Sequence, residues 1–205
     1  MKVIKIGERH IYLLGTVQGL VSEREKVRKA FLSYRPEAIA VCISEDMLSG
    51  LKDAVEERVD KVFVSNVNEI FARKLREYGE VQLPPPSLAE AYRISRDYDI
   101  PLLPIDMDEE AYQESFTRAI TGFQYYRHIS RIRKLEKKKF KVQSAEEFVK
   151  AWDAYLGRIK GFAMLEHNRE VFMADNIREL SQKYDKLLAV VEYEREEGVA
   201  AKITA

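Results

Sequence analysis

Three histidines and one cysteine are the side chains of this sequence best suited to ligate a transition metal or to act as a base or nucleophile. His10, His128 and His167 are far apart along the chain, and none has a second histidine or cysteine at the spacing of a metal site. We therefore expect them to be surface or capping residues. Cys42 lies in an apolar segment, which predicts a thiol packed in the core; the alternative is a thiolate activated by a nearby arginine.

The short motifs of the commoner enzyme classes are absent from the 205 residues. There is no phosphate-binding P-loop, no G-x-G-x-x-G fingerprint, no H-E-x-x-H zinc motif, no C-x-x-C pair and no G-x-S-x-G nucleophile elbow. Any chemistry must therefore come from side chains that the fold brings together.

A run of cations between residues 127 and 141 is the strongest charge feature, and only Glu136 opposes it there. Aromatic and aliphatic side chains interleave with the cations at partly helical spacing. Such a run can bind phosphates or anionic lipid headgroups. The alternative is a solvated helix face above a buried stripe. The candidate anion-binding residues are Arg127, Arg131, Arg133, Lys134, Lys137, Lys138, Lys139 and Lys141.

The elements that must position these side chains alternate between strands and helices. Residues 3–6 and 11–14 predict two strands around a turn, and a helix follows them. Residues 38–43 are a continuous apolar run, typical of a strand covered on both faces. Residues 45–79 predict two helices joined near 65–66, and residues 100–105 predict a further strand after another helix. This order is typical of an α/β fold.

Serine and glutamate three residues apart predict capping boxes at three helix starts. The pairs are Ser22 with Glu25, Ser87 with Glu90, and Ser144 with Glu147.

The segment from residue 108 to about 184 predicts three helices, with breaks near Gly122, near Val142 and at Gly157 or Gly161. Residues 187–191 then predict the last strong strand, and residues 199–203 a short edge strand. We predict one α/β domain over residues 1–205. It is a small mixed sheet surrounded by helices, with a helical insertion between its third and fourth main strands.

Composition excludes several classes of protein. The 34 Lys+Arg residues equal the 34 Asp+Glu residues, and 46% of the chain is hydrophobic, which argues against both a uniformly basic coat and a disordered acidic chain. No apolar run approaches the roughly 18–20 residues that cross a bilayer. The single cysteine and the absence of a signal-peptide core predict a reducing cytoplasm. The excess of Glu and Lys over Asn and Gln favours a thermophilic source.

Five segments, distributed in order over most of the chain, share a pattern. They are residues 10–18 (HIYLLGTVQ), 36–42 (PEAIAVC), 90–106 (a helix and a strand ending in aspartate), 168–174 (NREVFMA) and 188–199 (LAVVEYEREEGV). Their order and spacing resemble the TraB-like domain of the TraB/PrgY/Tiki family. The family's corresponding motifs include G-T-x-H, P-x-x-[apolar]-x-V-E, E-R-[DN]-x-x-[ML]-A and V-V-G-x-G-H-x-x-G-[VI]. The resemblance implies an α/β fold in which the two histidine motifs meet at strand ends in a metal-dependent or metal-assisted hydrolase site.

The sequence departs from this pattern where the family's chemistry would lie. Gln18 stands at the first histidine, Cys42 at the strand glutamate and Asn168 at the later glutamate. The second glycine–histidine motif has become Glu192 and Arg195. A guanidinium has only donors and cannot ligate a metal. We therefore expect no metal and no cofactor.

These losses predict a catalytically degenerate TraB-like protein, a pseudoenzyme with a binding or regulatory role. Two arginines could bind a small anion in its pocket; alternatively, Asp106 neutralises Arg169 in a buried salt-bridge network. The pocket candidates are Gln18, Cys42, Asp106, Asn168, Arg169 and Arg195.

Two other functions remain open from the sequence. One is a hydrolase with a non-standard site around Asp106, Cys42 and Arg169, since one fold hosts many chemistries. The other is a binder of anionic surfaces through a basic helix over residues 127–141. The expected partners are a second copy of the chain or an active paralogue. Nucleic acid is disfavoured, no membrane-spanning segment is expected, and peripheral membrane contact is left open.

Overall fold

The structure, a computed structural model, describes residues 1–56 and 66–205. Its strands are β1 (Lys2–Ile6), β2 (Arg9–Thr16), β3 (Ala38–Val41), β4 (Leu102–Pro104) and β5 (Lys186–Glu192). In the described residues they form one five-stranded sheet in the order β1-β2-β5-β3-β4. Strand β1 is antiparallel to β2, whereas the pairs β2–β5, β5–β3 and β3–β4 are parallel. The prediction of a mixed sheet is confirmed.

Helices cover both faces of this sheet. They are α1 (Glu23–Tyr34), α2 (Glu45–Val55), α3 (Asn66–Leu75), α4 (Pro86–Tyr98), α5 (Glu109–Ala119), α6 (Gly122–Leu135), α7 (Ala145–Leu156), α8 (Lys160–Leu180) and α9 (Glu196–Ile203). Phe31 of α1 and Ile94 of α4 pack on one face, and Met173 of α8 and Val199 of α9 pack on the other. The fold is α/β, as the order of elements predicts.

The central strands are apolar at every position because both of their faces are buried. All four residues of β3 are buried, and so are residues 187–191 of β5. Ala189 of β5 pairs with Leu13 of β2 on one side and with Ala40 of β3 on the other. The last strand therefore returns to the middle of the sheet, between two strands formed much earlier in the chain.

The helical insertion lies between β4 and β5 and contains four helices, α5 to α8, in the described residues, not three. The three breaks occur near their predicted positions, and three breaks separate four helices. Aromatic side chains hold the insertion together, because Phe148 and Trp152 of α7 pack against Phe71 of α3 and against Phe140. These rings belong to a third core, besides the two on the faces of the sheet. The third core also includes Val17, which follows β2.

Two of the three predicted capping boxes are wrong. Ser22 makes no capping side-chain bond within the described residues, because its backbone is helical (φ −60°, ψ −23°) and not in the extended conformation that a cap residue normally has.

The second pair fails because helix α4 begins at Pro86, two residues earlier than a cap at Ser87 implies, and the fixed φ of proline suits the first helical position. Ser87 is therefore inside the helix, and its hydroxyl accepts a hydrogen bond from Thr16 at 3.3 Å.

The third pair is half right, and the sequence analysis missed a complete box. Ser144 caps α7 by accepting the Glu147 N–H at 3.2 Å, but the Glu147 carboxylate accepts from Gln143 N–H instead of from the cap residue. The complete box is Thr121 with Gln124 at the start of α6. It went unrecognised because glutamine stands where glutamate was sought.

The predicted edge strand at residues 199–203 is also wrong, since these residues belong to α9. Glu196 and Glu197 occupy the first turn, where carboxylates favour a helix start. Val199, Ala200 and Ile203 are buried at helical spacing against the sheet.

The two helices predicted between residues 45 and 79 correspond in part to α2 and α3. The expected end of the first helix, including Val59, Val62 and Phe63, lies outside the described residues. Within residues 1–56 and 66–205, no helix is both long and apolar enough to cross a bilayer.

Gly161 of α8 lies against the end of α5, where the last and first helices of the insertion meet. A Cβ there would lie 2.5 Å from the Ala119 carbonyl oxygen. We expect Gly161→Ala to lower the free energy of unfolding by about 1–3 kcal/mol, because main chain must move. Chemical denaturation measures the loss.

The matched control is Gly50→Ala in α2, where a Cβ would meet no described atom within 4 Å. Alanine should stabilise the chain there by about 0.5–1 kcal/mol. Unchanged stability in Gly161→Ala would show that the helices can separate without cost.

Candidate functional site

Polar side chains gather at the edge of the sheet where the parallel strands end. Gln18 follows β2 by two residues, Cys42 follows β3 directly, Asp106 follows β4 by two residues, and Glu192 is the last residue of β5. In open parallel sheets the carboxyl ends of the strands form the usual ligand-binding edge. The topology therefore brings together residues that are far apart in the sequence.

Arg169 of α8 is the centre of this cluster. Its guanidinium donates to both oxygens of Asp106, to Glu166 at 2.8 Å and to Glu192 at 3.1 Å. The side chain is only 18% exposed. Although burial disfavours the charge, the carboxylates of Glu192, Asp106 and Glu166 raise the pKa of Arg169 above its usual value. The arginine is thus charged and bound by three carboxylates.

Arg195 forms a second, adjoining set of ion pairs. It follows β5 in the short 3-10 turn Tyr193–Arg195 and is buried. Its guanidinium pairs with Asp153, with Glu170 at 3.2 Å and with Glu166 at 3.5 Å. Glu166 therefore bridges the two arginines.

Cys42 lies beside this network in the core. Its Sγ accepts a hydrogen bond from the Gln18 amide at 3.5 Å. Burial, followed by the charges of Glu192 and Asp106, raises the pKa of the Cys42 thiol well above its usual value. The thiol is protonated at neutral pH, so it lacks the thiolate that a cysteine nucleophile requires.

Glu166 and Glu194 have raised pKa values because they are buried close to other carboxylates. Burial, opposed by Arg169 and reinforced by Glu192, raises the pKa of Glu166. Burial and the charge of Glu192 raise the pKa of Glu194 to about 7. Glu194 therefore carries only part of its negative charge at neutral pH.

Asn168 is the candidate that the structure places outside the cluster. Its side-chain amide donates to the Ser115 hydroxyl of α5 at 3.0 Å. Asn168 follows Glu166 by two residues, about 200° around the helix, so it points away from the face of α8 that carries Glu166. The other five candidates form or border one connected set of contacts.

The sequence analysis missed three residues of the network: Asp153, Glu166 and Glu170. The two glutamates could have been predicted from their spacing. Glu166 lies three residues before Arg169 and four before Glu170 on α8, and helical side chains at these spacings are neighbours. Asp153 gave no such signal, because it belongs to α7 and reaches Arg195 only in the folded chain.

A cleft of about 320 Å³ opens onto the pair of Asp106 and Arg169. Met47 and Tyr112 supply apolar walls. Two atoms near the cluster, Gln18 Oε1 and Glu192 Oε2, are buried without a hydrogen-bond partner among the described residues. The cleft is lined by Ser44, Asp46, Met47, Asp106, Met107, Asp108, Glu109, Tyr112 and Arg169.

The residues at this edge do not fit the metal that the resemblance implies. Among the described residues, no three His, Cys, Asp or Glu side chains are grouped so that they could hold an ion. The Cys42 thiol is protonated, and the carboxylates of Asp106 and Glu192 are bound to Arg169. The arginine occupies the centre that a cation would need.

The basic run is not one helix over residues 127–141, because α6 ends at Leu135. Lys74 accounts for this ending, since its ammonium donates to the carbonyls of Glu136 at 3.2 Å and Lys138 at 2.9 Å. The helical cations are Arg127, Arg131, Arg133 and Lys134; the cations beyond the helix are Lys137, Lys138, Lys139 and Lys141.

No family model matches the chain, and no curated protein is significantly similar to it. The resemblance to the TraB/PrgY/Tiki family therefore stays a prediction.

Proposed function

We propose that this chain is a non-catalytic binding or regulatory protein built on a TraB-like scaffold. The observation that carries the proposal is the state of Arg169, whose guanidinium is bound by Asp106, Glu166 and Glu192 at the edge where a reaction would take place. An arginine that stabilises charge in a reaction or binds an anion needs N–H donors that can reach the ligand. Here those donors are bound to carboxylates.

The same contacts weigh against the two other uses of this pocket. A hydrolase built on Cys42 would need a thiolate, and burial keeps the thiol protonated. Capture of a small anion by Arg169 and Arg195 would have to displace the carboxylates that hold both side chains. The salt-bridge alternative, with Asp106 neutralising Arg169, describes the observed contacts.

The remaining role is the binding of a partner through the outer surface, and the candidate partners are a second copy of the chain or an active paralogue. In this proposal the ion pairs at the sheet edge have a structural role. They connect α7 and α8 of the insertion to the ends of β4 and β5.

Metal analysis and hydrolysis assays test the proposal directly. The purified chain is incubated with zinc, manganese or cobalt, desalted, and analysed for bound metal and for peptidase and esterase turnover. We expect neither stoichiometric metal nor turnover. Stoichiometric metal with turnover that a chelator abolishes would overturn the proposal.

Asp106→Asn separates a structural aspartate from a catalytic one. The substitution weakens the pairing with Arg169, so we expect the melting temperature to fall by several degrees, at about 2–4 °C for each kcal/mol in a chain of this size. Asp175→Asn is the matched control, because Asp175 forms an exposed pair with Arg178 on α8 and should change the melting temperature little. Turnover in the parent that Asp106→Asn removes without loss of stability would favour the hydrolase instead.

A further inference from the structure

One face of α6 carries two exposed aromatic rings followed by three cations. Phe123 is 70% exposed and Tyr126 is 68% exposed. Arg127, Arg131 and Lys134 continue the stripe toward the end of the helix. Phe123, Arg127, Arg131 and Lys134 are three or four positions apart, and Tyr126 is three positions after Phe123, which places all five on one side of the helix. We call this set the α6 stripe.

The cations of the α6 stripe differ from those at the sheet edge because no described carboxylate pairs with them. The Arg127 guanidinium lies over the Phe123 ring at 5.9 Å. Arg131 donates to the Tyr155 carbonyl at 3.1 Å and lies over the Tyr155 ring at 4.9 Å. Lys138 approaches the same ring at 4.8 Å. These contacts orient the cations and leave their charge unneutralised.

A shallow groove of about 370 Å³ runs between these side chains, and its lining contains no acidic residue among those described. It is lined by Arg127, Ser130, Arg131, Lys134 and Tyr155. The Ser130 hydroxyl donates its single hydrogen to the Tyr126 carbonyl at 3.1 Å and is therefore not a donor to a ligand in the groove. The guanidinium and ammonium donors of the groove suit a phosphate oxygen.

Both ends of α6 are fixed, so the stripe has a defined shape. Thr121 and Gln124 form the reciprocal capping box at the first turn. At the other end Lys74 donates to two carbonyls beyond the last turn. Leu135 is fully buried in the third core. The helix is therefore anchored from behind and presents the stripe outward.

We propose that the α6 stripe docks on an anionic lipid bilayer, with Phe123 and Tyr126 entering the interface and the cations contacting lipid phosphates. Exposed aromatic rings beside lysine and arginine are the composition of helices that lie in the plane of a membrane surface. A single-stranded nucleic acid is less suited, because its bases need aromatic platforms distributed along a basic groove. Here both rings of the α6 stripe precede its cations. The inference is independent of whether the cleft at the sheet edge is catalytic.

Sedimentation with vesicles tests the charge contribution. We expect the chain to bind vesicles of phosphatidylcholine with phosphatidylserine, to bind phosphatidylcholine alone weakly, and to lose binding as salt rises. Arg127→Gln with Lys134→Gln should weaken binding about 30-fold, at about fivefold for each cation. Lys5→Gln with Lys29→Gln is the matched control, because it removes the same charge from β1 and α1 and should leave binding nearly unchanged.

A second arm tests the aromatic contribution. Phe123→Ser with Tyr126→Ser should also weaken vesicle binding, whereas a site for free phosphate would not respond. Phe123→Trp should show a blue-shifted emission on adding the anionic vesicles, since the natural Trp152 is buried. Circular dichroism checks that each variant is folded.

Three results would overturn the proposal. The first is no binding to anionic vesicles at low salt. The second is an equal loss of binding in the α6 variant and in its control, which would indicate a general charge effect. The third is tighter binding of a single-stranded RNA oligonucleotide than of the vesicles, which would make nucleic acid the occupant.

Discussion

Replacing Arg169 by alanine should lower the free energy of unfolding by about 3–5 kcal/mol, the usual cost of removing one partner from a buried ion pair. The guanidinium is the shared counterion of Asp106, Glu166 and Glu192. Without it, Asp106 and Glu192 lose their described cation and must take up a proton or find water, while Glu166 keeps only Arg195 at 3.5 Å. Urea denaturation at neutral pH measures the loss.

Two further variants decide whether the loss comes from this cluster. Arg169→Lys keeps the charge but not the planar fork that reaches several carboxylates, so its loss should be intermediate. Arg178→Ala removes an exposed arginine of the same helix, which pairs across one turn with Asp175 among the residues described, and should cost little. If Arg169→Ala lowered the free energy of unfolding no more than Arg178→Ala does, the cluster would contribute no more to stability than an exposed ion pair.

Replacing Glu194 by glutamine should stabilise the folded chain above neutral pH, by up to roughly 3 kcal/mol when the full pKa shift from 4.5 to about 7 is converted. Burial and Glu192 raise the pKa of this acid in the folded state. The folded chain therefore binds more protons than the unfolded chain between these two pKa values. Its stability falls as pH rises from about 4.5 to about 7 and stays lower above that range.

The measurement is the free energy of unfolding as a function of pH in the parent and in Glu194→Gln. The variant should show a flatter profile between pH 4.5 and 7, because the titrating carboxyl is gone. Glu197→Gln is the matched control in the same region. Lys150 lowers the pKa of Glu197, so that substitution should change stability in the opposite direction. Parallel profiles for the parent and Glu194→Gln would contradict the assignment.

The central strands could be identified from the sequence because their residues are apolar at every position. Residues 38–41 and 187–191 are buried on both faces, which removes the alternation that distinguishes other strands. The strand predicted at residues 199–203 is wrong because a short apolar run has no period that separates a strand from a helix. Packing of α9 against α8 and the sheet decided between them.

By itself the sequence determined the order of the elements as far as β4, the apolar strands and the helical breaks of the insertion, because these depend on side-chain periodicity and on local backbone preferences. Only the tertiary structure decided which carboxylates Arg169 meets. Asp106 and Glu192 are 63 and 23 residues away from it along the chain, on strands whose neighbours are fixed by where β5 enters the sheet. An ion pair between such positions leaves no periodic trace in a sequence, since it depends on distances that exist only after the strands have paired.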